Sequence, residues 1–262
     1  MRAPIYQVDA FTSTRFAGNP AAVILLTKFL PDATLQAIAA ENNLAETAYL
    51  VPENDEYRLR WFTPETEVPL CGHATLASAA VVMERVDRNR AQVVFHSASG
   101  PLTVTKNGAG YLMDFPTRPS GPVPAPTGLA KAIGVAPLEV TENDFNYLAL
   151  LTDETTLRAV VPDGTALIRI GKPGLIITAP SSDPRYDFVS RYFAPMKGIL
   201  EDPVTGSAHC MLAPFWAPRL GKTDFAAWQA SARGGKVICR LRGDRTELEG
   251  ECVFYLEGQV EI

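Results

Sequence analysis

The stretch Cys71-Gly72-His73-Ala74 recurs in altered form as Thr205-Gly206-Ser207-Ala208 in the second half of the chain. Each copy follows an aromatic segment that ends in proline, Trp61-Phe62-Thr63-Pro64 in the first half and Tyr192-Phe193-Ala194-Pro195 in the second. The glycines of the two stretches lie 134 residues apart, close to half of the 262-residue length. We interpret the chain as an internal duplication, in which the two halves share one sequence pattern.

A second pair of glycines has the same offset, because Gly100 and Gly234 also lie 134 residues apart. Duplicated halves commonly pair about a pseudo-two-fold axis, and segments related by such an axis can face each other across a cleft. We therefore expect a site built from one piece of each half, with the two glycine-led helix starts facing one shared cleft.

Composition and charge narrow the function classes. Hydrophobic residues make up 47% of the chain and charged residues 20%, values typical of a soluble globular protein. The formal net charge of −5 and the lack of a basic stripe argue against nucleic acid or an anionic membrane as a partner. There is no run of 18 apolar residues and no signal-peptide pattern, so a cytoplasmic location is expected.

The cysteines and histidines show no metal-binding spacing. The four cysteines contain no CxxC pair, and the three histidines contain no HExxH pair. Glycine-rich nucleotide-binding loops are absent as well. We therefore predict neither a metal site nor a cofactor.

A proline-rich stretch, residues 116–126, marks the middle of the chain. It predicts an extended connector between two domains, residues 1–116 and 117–262, because proline suits neither a helix interior nor a central strand. Hydrophobic patterns and turn signals predict several strands on each side, among them Leu167–Ile170.

Few helices are expected. One should span Thr34–Glu41, and a buried helix of small residues should run from Gly72 to about Arg85. The helix after Gly206 should be shorter or kinked, because Pro214 and Pro218 follow closely. This order predicts an α+β fold with two domains, each a curled and mostly antiparallel sheet around one helix.

Three ionisable residues near the glycine turns are candidates for acid/base chemistry. His73 follows Gly72, Asp202 precedes Gly206 by four positions, and Glu46 stands at the mouth of an apolar strand, where a carboxylate can be partly desolvated. Taken singly, each also has a structural interpretation. Glu46 could be a solvated end of the strand, Asp202 a cap of the following helix, and His73 a hydrogen-bonded core residue.

Six motifs together resemble the PhzF-like isomerase family of phenazine biosynthesis, and they span nearly the whole chain in that family's order. They are Asp9-Ala10-Phe11-Thr12, Gly18-Asn19-Pro20-Ala21-Ala22-Val23, Asn43-Leu44-Ala45-Glu46-Thr47, Phe62-Thr63-Pro64, Cys71-Gly72-His73-Ala74-Thr75 and residues 201–209. Two positions depart from the phenazine enzyme, since it has no cysteine at Cys71 and a small residue at His209. The resemblance therefore extends to the acid/base machinery and not to the phenazine substrate.

The resemblance implies the diaminopimelate-epimerase-like fold. This fold has two similar α+β barrels, each wrapped on a central helix, with the active site in the cleft between them. The last strand, about residues 252–262, is expected to return to the first domain. The resemblance also implies a homodimer without cofactor or metal.

Carried over residue by residue, the resemblance assigns the site. The catalytic glutamate falls on Glu46, and two further catalytic residues fall on His73 and Asp202. The substrate-binding positions implied by the same motifs are Asn19, Gly72, Gly206 and Ser207.

The leading hypothesis is a cofactor-independent isomerase that moves a proton between carbons of a small carboxylate-bearing metabolite. One alternative is an amino-acid racemase or epimerase that uses Cys71, although the second motif offers Thr205 where a second cysteine would be needed. The other alternative is a non-catalytic small-molecule binding protein that shares the fold.

Overall fold

Strands dominate the protein on both sides of the proline-rich connector. The computed structural model describes all 262 residues. They divide into two compact units, of which the first comprises Met1–Asp114 and Leu248–Ile262, and the second comprises Phe115–Glu247. The end of the chain thus groups with the first unit. None of the helices is both long and apolar enough to span a bilayer.

The first unit contains eight strands before the connector and two helices. In chain order the strands are β1 (Arg2–Ala10), β2 (Asn19–Leu25), β3 (Glu46–Glu53), β4 (Glu56–Phe62), β5 (Glu67–Val68), β6 (Gln92–Ser97), β7 (Gly100–Asn107) and β8 (Gly110–Pro116). The helices are α1 (Asp32–Asn42) and α2 (Gly72–Val81), and a π-helical turn at Val82–Val86 extends α2.

The second unit has short helices between its strands. The strands are β9 (Gly121–Pro122), β10 (Glu139–Glu142), β11 (Asn146–Leu150), β12 (Gly174–Pro180), β13 (Phe188–Ala194), β14 (Ile199–Asp202), β15 (Asp224–Gln229) and β16 (Gly235–Arg242). The helices are α3 (Leu129–Ile133), α4 (Glu154–Ala159), α5 (Gly164–Ile170) and α6 (Gly206–Leu220). A last strand, β17 (Arg245–Glu261), begins in this unit and continues into the first.

The sheet of the first unit closes on itself as a barrel. Strand β1 lies antiparallel between β2 and β17, and β2 pairs in parallel with β3. The sheet continues through β4, which pairs antiparallel with β3 and parallel with β6, and then through β7 to β8. Pairing between β8 and β17 completes the ring.

Helix α2 forms the core of this barrel and packs on β1, β2 and β3. Every residue of α2 after Gly72 is buried, and most of them are small, so the backbone can lie close to the surrounding strands. The two buried hydroxyls donate to helix carbonyls, Thr75 Oγ1 to Cys71 O and Ser78 Oγ to Ala74 O. The predicted buried helix is thereby confirmed, and the helix over Thr34–Glu41 is confirmed as α1.

The second unit follows a similar plan. Strands β9 to β13 pair in sequence, with one parallel pair between β11 and β12, and β13 continues in parallel to β15 and then to β16. Helix α6 packs on β16, and nine of its fifteen residues are buried, as expected for a central helix. The α+β class with two barrel-like domains is the observed architecture.

The prediction of a strand at Leu167–Ile170 was wrong, because these residues belong to α5. Asp163 caps the helix, accepting a hydrogen bond from the Ala166 N–H at 3.0 Å, and Gly171 ends it in the left-handed region at φ 90°. Leu167 is buried, whereas Ile168 is 47% exposed. A short apolar run does not distinguish a strand from a helix by periodicity alone, and here the capping residues decide.

The helix after Gly206 is also longer than predicted, since α6 continues to Leu220 with Pro214 and Pro218 inside it. Proline at position 214 removes the N–H that would bond to the Cys210 carbonyl. That carbonyl instead accepts the backbone N–H of Arg118 at 2.9 Å. The partner from the connector compensates for the lost helical hydrogen bond, which a sequence pattern cannot show.

Candidate active site

Helix α2 begins at Gly72 without a side-chain cap. Cys71 holds the N-cap position in an extended conformation, with φ −142° and ψ 111°, and its side chain accepts no hydrogen bond from the first turn. The helix start therefore offers backbone N–H donors and the positive end of the helix dipole. A carboxylate or another small anion suits such a place.

Two strand starts bring polar side chains to this helix. Asn19 is the first residue of β2 and Glu46 the first residue of β3, and the parallel pairing of the two strands places Glu46 opposite Ala21. Asn19 is fully buried, and the Glu46 side chain is 13% exposed. Because the strands run parallel, residues far apart in sequence meet at the same end of the barrel.

The His73 ring is the centre of this group, which we call the His73 cluster: Asn19, Glu46, Cys71 and His73. Its Nε2 lies 3.1 Å from Glu46 Oε2. Its Nδ1 lies 3.1 Å from Asn19 Nδ2 and 3.5 Å from Cys71 Sγ. The Nε2–Oε2 distance is that of an ion pair, and neither of these buried atoms has a hydrogen-bond partner.

The contacts of Nδ1 indicate where a proton lies on the imidazole. If the Asn19 amide donates to Nδ1 of a neutral ring, the ring proton must lie on Nε2. In the imidazolium both nitrogens carry a proton. In either state Nε2–H is on the side of Glu46.

Opposing effects act on the ionisation of the cluster. Burial lowers the pKa of His73, whereas the neighbouring Cys71 sulfur and Glu46 carboxylate raise it, and the net direction is well upward. Burial, reinforced by the Glu46 charge, raises the pKa of the Cys71 thiol to about 11. Cys71 is therefore a neutral thiol near pH 7, and Glu46 supplies the negative charge beside the ring.

The corresponding helix start in the second unit has the same backbone form. Thr205 holds the N-cap position of α6 in an extended conformation, with φ −115° and ψ 100°, again without a side-chain cap. Gly206 is buried, and the Ser207 side chain is exposed. Asp202 ends β14 and accepts a hydrogen bond from Thr205 Oγ1.

Gln229 holds the turn before Gly206 in place, although no sequence motif indicates this role. This fully buried side chain accepts the Thr205 N–H at 2.8 Å and donates to the Asp202 carbonyl at 2.8 Å. A nearby hairpin adds a further bond, from Ser231 Oγ to the Pro203 carbonyl at 2.8 Å. The loop from Asp202 to Gly206 is thus fixed by groups that are distant in sequence.

The structure groups the predicted site residues in two sets. Asn19, Glu46 and His73 lie together beside the start of α2 in the first unit. Asp202, Gly206 and Ser207 lie along one segment of the second unit. The shared cleft expected from the duplication stays a prediction.

Three members of the His73 cluster carry side chains of types that ligate metal ions, but Cys71 Sγ lies at Nδ1 and Glu46 Oε2 at Nε2 of the His73 ring, so one ion does not contact all three in this arrangement. Glu46, Cys71 and His73 each offer one donor atom, and these atoms lie within 4.8 Å of one another. Motif spacing could not show this set, because Glu46 comes from a different strand and is 25 residues from Cys71 in the chain.

Comparison with known proteins gives consistent results across the full length. The family model for phenazine biosynthesis-like proteins, PhzC-PhzF, matches residues 8–258. An uncharacterized isomerase of Pseudomonas aeruginosa is 47% identical over 262 residues and is covered completely, as is this chain. The crystal structure of a phenazine biosynthesis protein of the PhzF family from Enterococcus faecalis superposes with a TM-score of 0.96 at 42% identity, with both chains fully covered.

A more distant structure shares the fold alone. The hydroxyproline epimerase of Agrobacterium vitis superposes with a TM-score of 0.63 at 11% identity, with 99% of this chain and 92% of that chain covered. Together with the close neighbour, it agrees with the diaminopimelate-epimerase-like architecture.

His209, the position that departs from the phenazine enzyme, has a structural role in the second unit. It is fully buried, its Nδ1 bonds to the Thr205 carbonyl at 2.8 Å, and its ring stacks on Phe188. Its Nε2 has no hydrogen-bond partner, so a proton there would be a buried and unsatisfied donor. Burial accordingly lowers the pKa of His209 to about 4.

This lowered pKa predicts a loss of stability in mild acid. Between about pH 6.5 and pH 4 the unfolded chain protonates this histidine and the folded chain does not, so acid favours unfolding by up to about 3 kcal/mol. In His209→Asn, the free energy of unfolding should vary less between pH 7 and pH 5 than in the wild type, as measured by denaturant unfolding.

The buried neighbour Leu212 provides the control. Leu212→Ala should lower stability by a similar amount at both pH values, since it removes packing and no titrating group. An unchanged pH slope in His209→Asn would contradict the assignment.

Proposed function

We propose that this chain, which belongs to the phenazine biosynthesis-like protein family, moves a proton between two carbons of a small carboxylate-bearing metabolite by acid/base catalysis at Glu46. Its relatives in this family include named isomerases. The protein is an isomerase, and the proposed reaction needs no cofactor. The buried contact between Glu46 Oε2 and His73 Nε2 carries the proposal. It holds a mostly buried carboxylate whose Oε2 has no hydrogen-bond partner.

The proposed reaction uses one base. The Glu46 carboxylate takes a proton from a carbon made acidic by a conjugated carboxylate or carbonyl group, and the electron pair of the broken C–H bond delocalises into that system. The same carboxyl group, now protonated, returns the proton to another carbon of the delocalised system. His73 Nε2–H orients the carboxylate and stabilises it when it is charged.

Substrate carboxylates have two suitable anchors. The uncapped helix starts at Gly72 and at Gly206 each offer free N–H groups and a favourable dipole. The exposed Ser207 hydroxyl can add a further hydrogen bond. We assign Asn19, Gly72, Gly206 and Ser207 to substrate binding. We assign Asp202 to the catalytic group, with an orienting role, because its carboxylate is held by a hydrogen bond from Thr205.

The racemase alternative is less well supported, because a two-base racemase of the kind considered needs a thiolate on one face of the reacting carbon and a thiol on the other. Burial raises the pKa of Cys71 to about 11, so this thiol is a poor source of thiolate near pH 7. The second motif offers the Thr205 hydroxyl, which already donates to Asp202. A single base on one face suits a proton shift rather than an inversion.

A homodimer is also part of the proposal. Phe16, Tyr255 and Leu256 are between 44% and 70% exposed, and the Phe16 and Tyr255 rings contact each other edge to face at 5.7 Å. Apolar patches of this kind are commonly covered in an assembly. We assign this face to contact with a second copy of the chain in the cytoplasm.

Glu46→Gln should abolish most of the isomerase activity. The amide keeps the size of the side chain but cannot accept and return a proton, so kcat/KM should fall by about 10²–10⁴-fold. A panel of small carboxylic acids, screened by the rise in melting temperature that binding produces, would supply a substrate for the assay. Turnover and deuterium incorporation in D₂O would then be measured.

The control lies on the same strand. Glu53→Gln changes an exposed glutamate at the far end of β3 and should leave the rate within a factor of about two. Near wild-type turnover in Glu46→Gln would remove Glu46 from the mechanism.

Cys71→Ala should retain substantial activity, because a neutral thiol is not the proposed base. The D₂O exchange of Cα protons with proline and diaminopimelate, followed by NMR, separates the isomerase from an epimerase. The wild type should show no exchange with either amino acid. Exchange that appears in the wild type and disappears in Cys71→Ala would replace this proposal with thiol-based epimerisation.

A further inference from the structure

One of the six sequence motifs, Asp9-Ala10-Phe11-Thr12, has no part in the chemistry described so far. Its aspartate lies near the end of β1 and is only 2% exposed. Asp9 Oδ2 accepts the backbone N–H of Phe16 at 2.9 Å. Burial of a carboxylate is costly unless hydrogen bonds compensate. The bond from Phe16 is one such compensation, and it ties the chain that follows β1 back to the strand.

The segment that this bond holds is the connection between β1 and β2, residues 11–18. Two of its residues other than glycine have a left-handed backbone, Phe11 with φ 61° and Phe16 with φ 70°. This conformation is unfavourable for a residue with a Cβ, so it persists only where other contacts hold it. Gly18 is left-handed as well, and a Cβ there would lie 2.2 Å from the Ala10 carbonyl oxygen. Contacts outside the loop therefore impose its conformation.

Strand β17 supplies further anchors for the loop. The Thr12 N–H donates to the Glu251 carbonyl at 3.1 Å, and Arg15 Nε donates to the Phe254 carbonyl at 2.9 Å. These bonds hold the start and the middle of the loop. The bond to Asp9 holds position 16, three residues before the end of the connection.

The loop ends at a member of the His73 cluster. Asn19 is the first residue of β2 and pairs with Ala10 at the end of the ladder between β1 and β2. The end of a ladder opens most easily, so its position depends on the loop beyond it. Asn19 Nδ2 lies 3.1 Å from His73 Nδ1. This contact favours the ring orientation in which Nε2 faces Glu46, because a flipped imidazole would present a carbon to Asn19.

We propose that Asp9 is a positioning residue for the isomerase: it holds the loop over residues 11–18 in its strained conformation and thereby keeps Asn19 against His73. The ring then presents Nε2 to Glu46. Asp9 acts through Asn19 and not on the substrate. The effect on turnover rests on the proposed role of Glu46, whereas the effect on the His73 ring does not.

The ¹⁵N NMR signals of the His73 ring, recorded at one pH, test the positioning without a substrate. Asn19→Ala removes the amide beside Nδ1 and should shift the Nδ1 signal. Asp9→Ala should shift this signal in the same direction, because it releases the loop that ends at Asn19. Asp9→Asn should keep the wild-type signal, since the amide oxygen can still accept the Phe16 N–H.

A double-mutant cycle distinguishes positioning through Asn19 from a general loosening of the barrel. If Asp9 acts through Asn19, Asp9→Ala should cause no further shift of the Nδ1 signal in an Asn19→Ala background. Additive shifts would overturn the proposal. A wild-type Nδ1 signal in folded Asp9→Ala would overturn it as well.

Phe16 provides a second test that keeps the proposal falsifiable if Asp9→Ala folds poorly. Phe16→Pro removes the N–H that Asp9 accepts, and proline cannot adopt φ 70°. Phe16→Ala is the matched control, because it keeps the N–H and removes only the exposed ring. The Nδ1 signal should shift in Phe16→Pro and stay in place in Phe16→Ala. Equal signals in the two variants would show that the hydrogen bond to Asp9 does not position the ring.

Turnover is measured separately once a substrate is in hand. Asp9→Ala should lower kcat by up to about 10²-fold, the cost of a misplaced catalytic group, with a smaller change in KM. Asp9→Asn should restore most of the rate. Wild-type turnover in Asp9→Ala, together with a shifted His73 signal, would refute the effect on catalysis. A shifted signal in a protein whose Glu46→Gln variant is fully active would leave the positioning standing and refute the proposed role of Glu46.

Discussion

The buried contact between the Glu46 carboxylate and the His73 imidazole is the interaction on which the site depends. A carboxylate or an imidazolium that is mostly removed from water is costly unless an opposite charge or a hydrogen bond compensates. Here the two groups compensate each other, with His73 Nε2 and Glu46 Oε2 3.1 Å apart. The barrel makes this possible because the parallel starts of β2 and β3 meet the start of the central helix at one place.

The two halves of the duplication have diverged in how they satisfy their polar groups. In the second unit, Thr205, Asp202 and Gln229 bond to one another, and His209 bonds to the Thr205 carbonyl. In the first unit, the central pair keeps two buried atoms without hydrogen-bond partners. The hydrogen bonds among Thr205, Asp202 and Gln229 fix the loop before Gly206, while His209 Nε2 stays without a partner. In the first unit the atoms without partners include both atoms of the ion pair itself.

The duplication and the two glycine-led helices could be predicted from sequence, because a repeated pattern is visible in the sequence itself and does not depend on tertiary contacts. The backbone form confirms the comparison, since Cys71 and Thr205 are both extended N-caps followed by glycine. Family resemblance located Glu46 and His73, but nothing in the sequence indicated that His73 Nδ1 faces Cys71 and Asn19. Such contacts arise from strand register, which is set by pairing across the whole barrel.

The two wrong predictions, a strand at Leu167–Ile170 and a short helix after Gly206, also arise from contacts that a local sequence pattern does not show. The apolar run at Leu167–Ile170 fits a strand or a helix, and the Asp163 cap and Gly171 selected the helix. The helix after Gly206 tolerates Pro214 because Arg118, distant in sequence, bonds to the exposed carbonyl. Gln229 likewise acts on the Asp202 loop from a distant strand. Local patterns predict elements well where local interactions decide, and fail where a tertiary partner does.

The titration of His73, followed by ¹⁵N NMR in the wild type and in Glu46→Gln, tests the central claim most directly. In the wild type the pKa of His73 should lie well above its usual range, because the Cys71 sulfur and the Glu46 carboxylate together outweigh burial. Removal of the Glu46 charge takes away one of these two effects, so the pKa should fall in Glu46→Gln. An identical titration in the two proteins would show that the pair is not electrostatically coupled and would contradict this account.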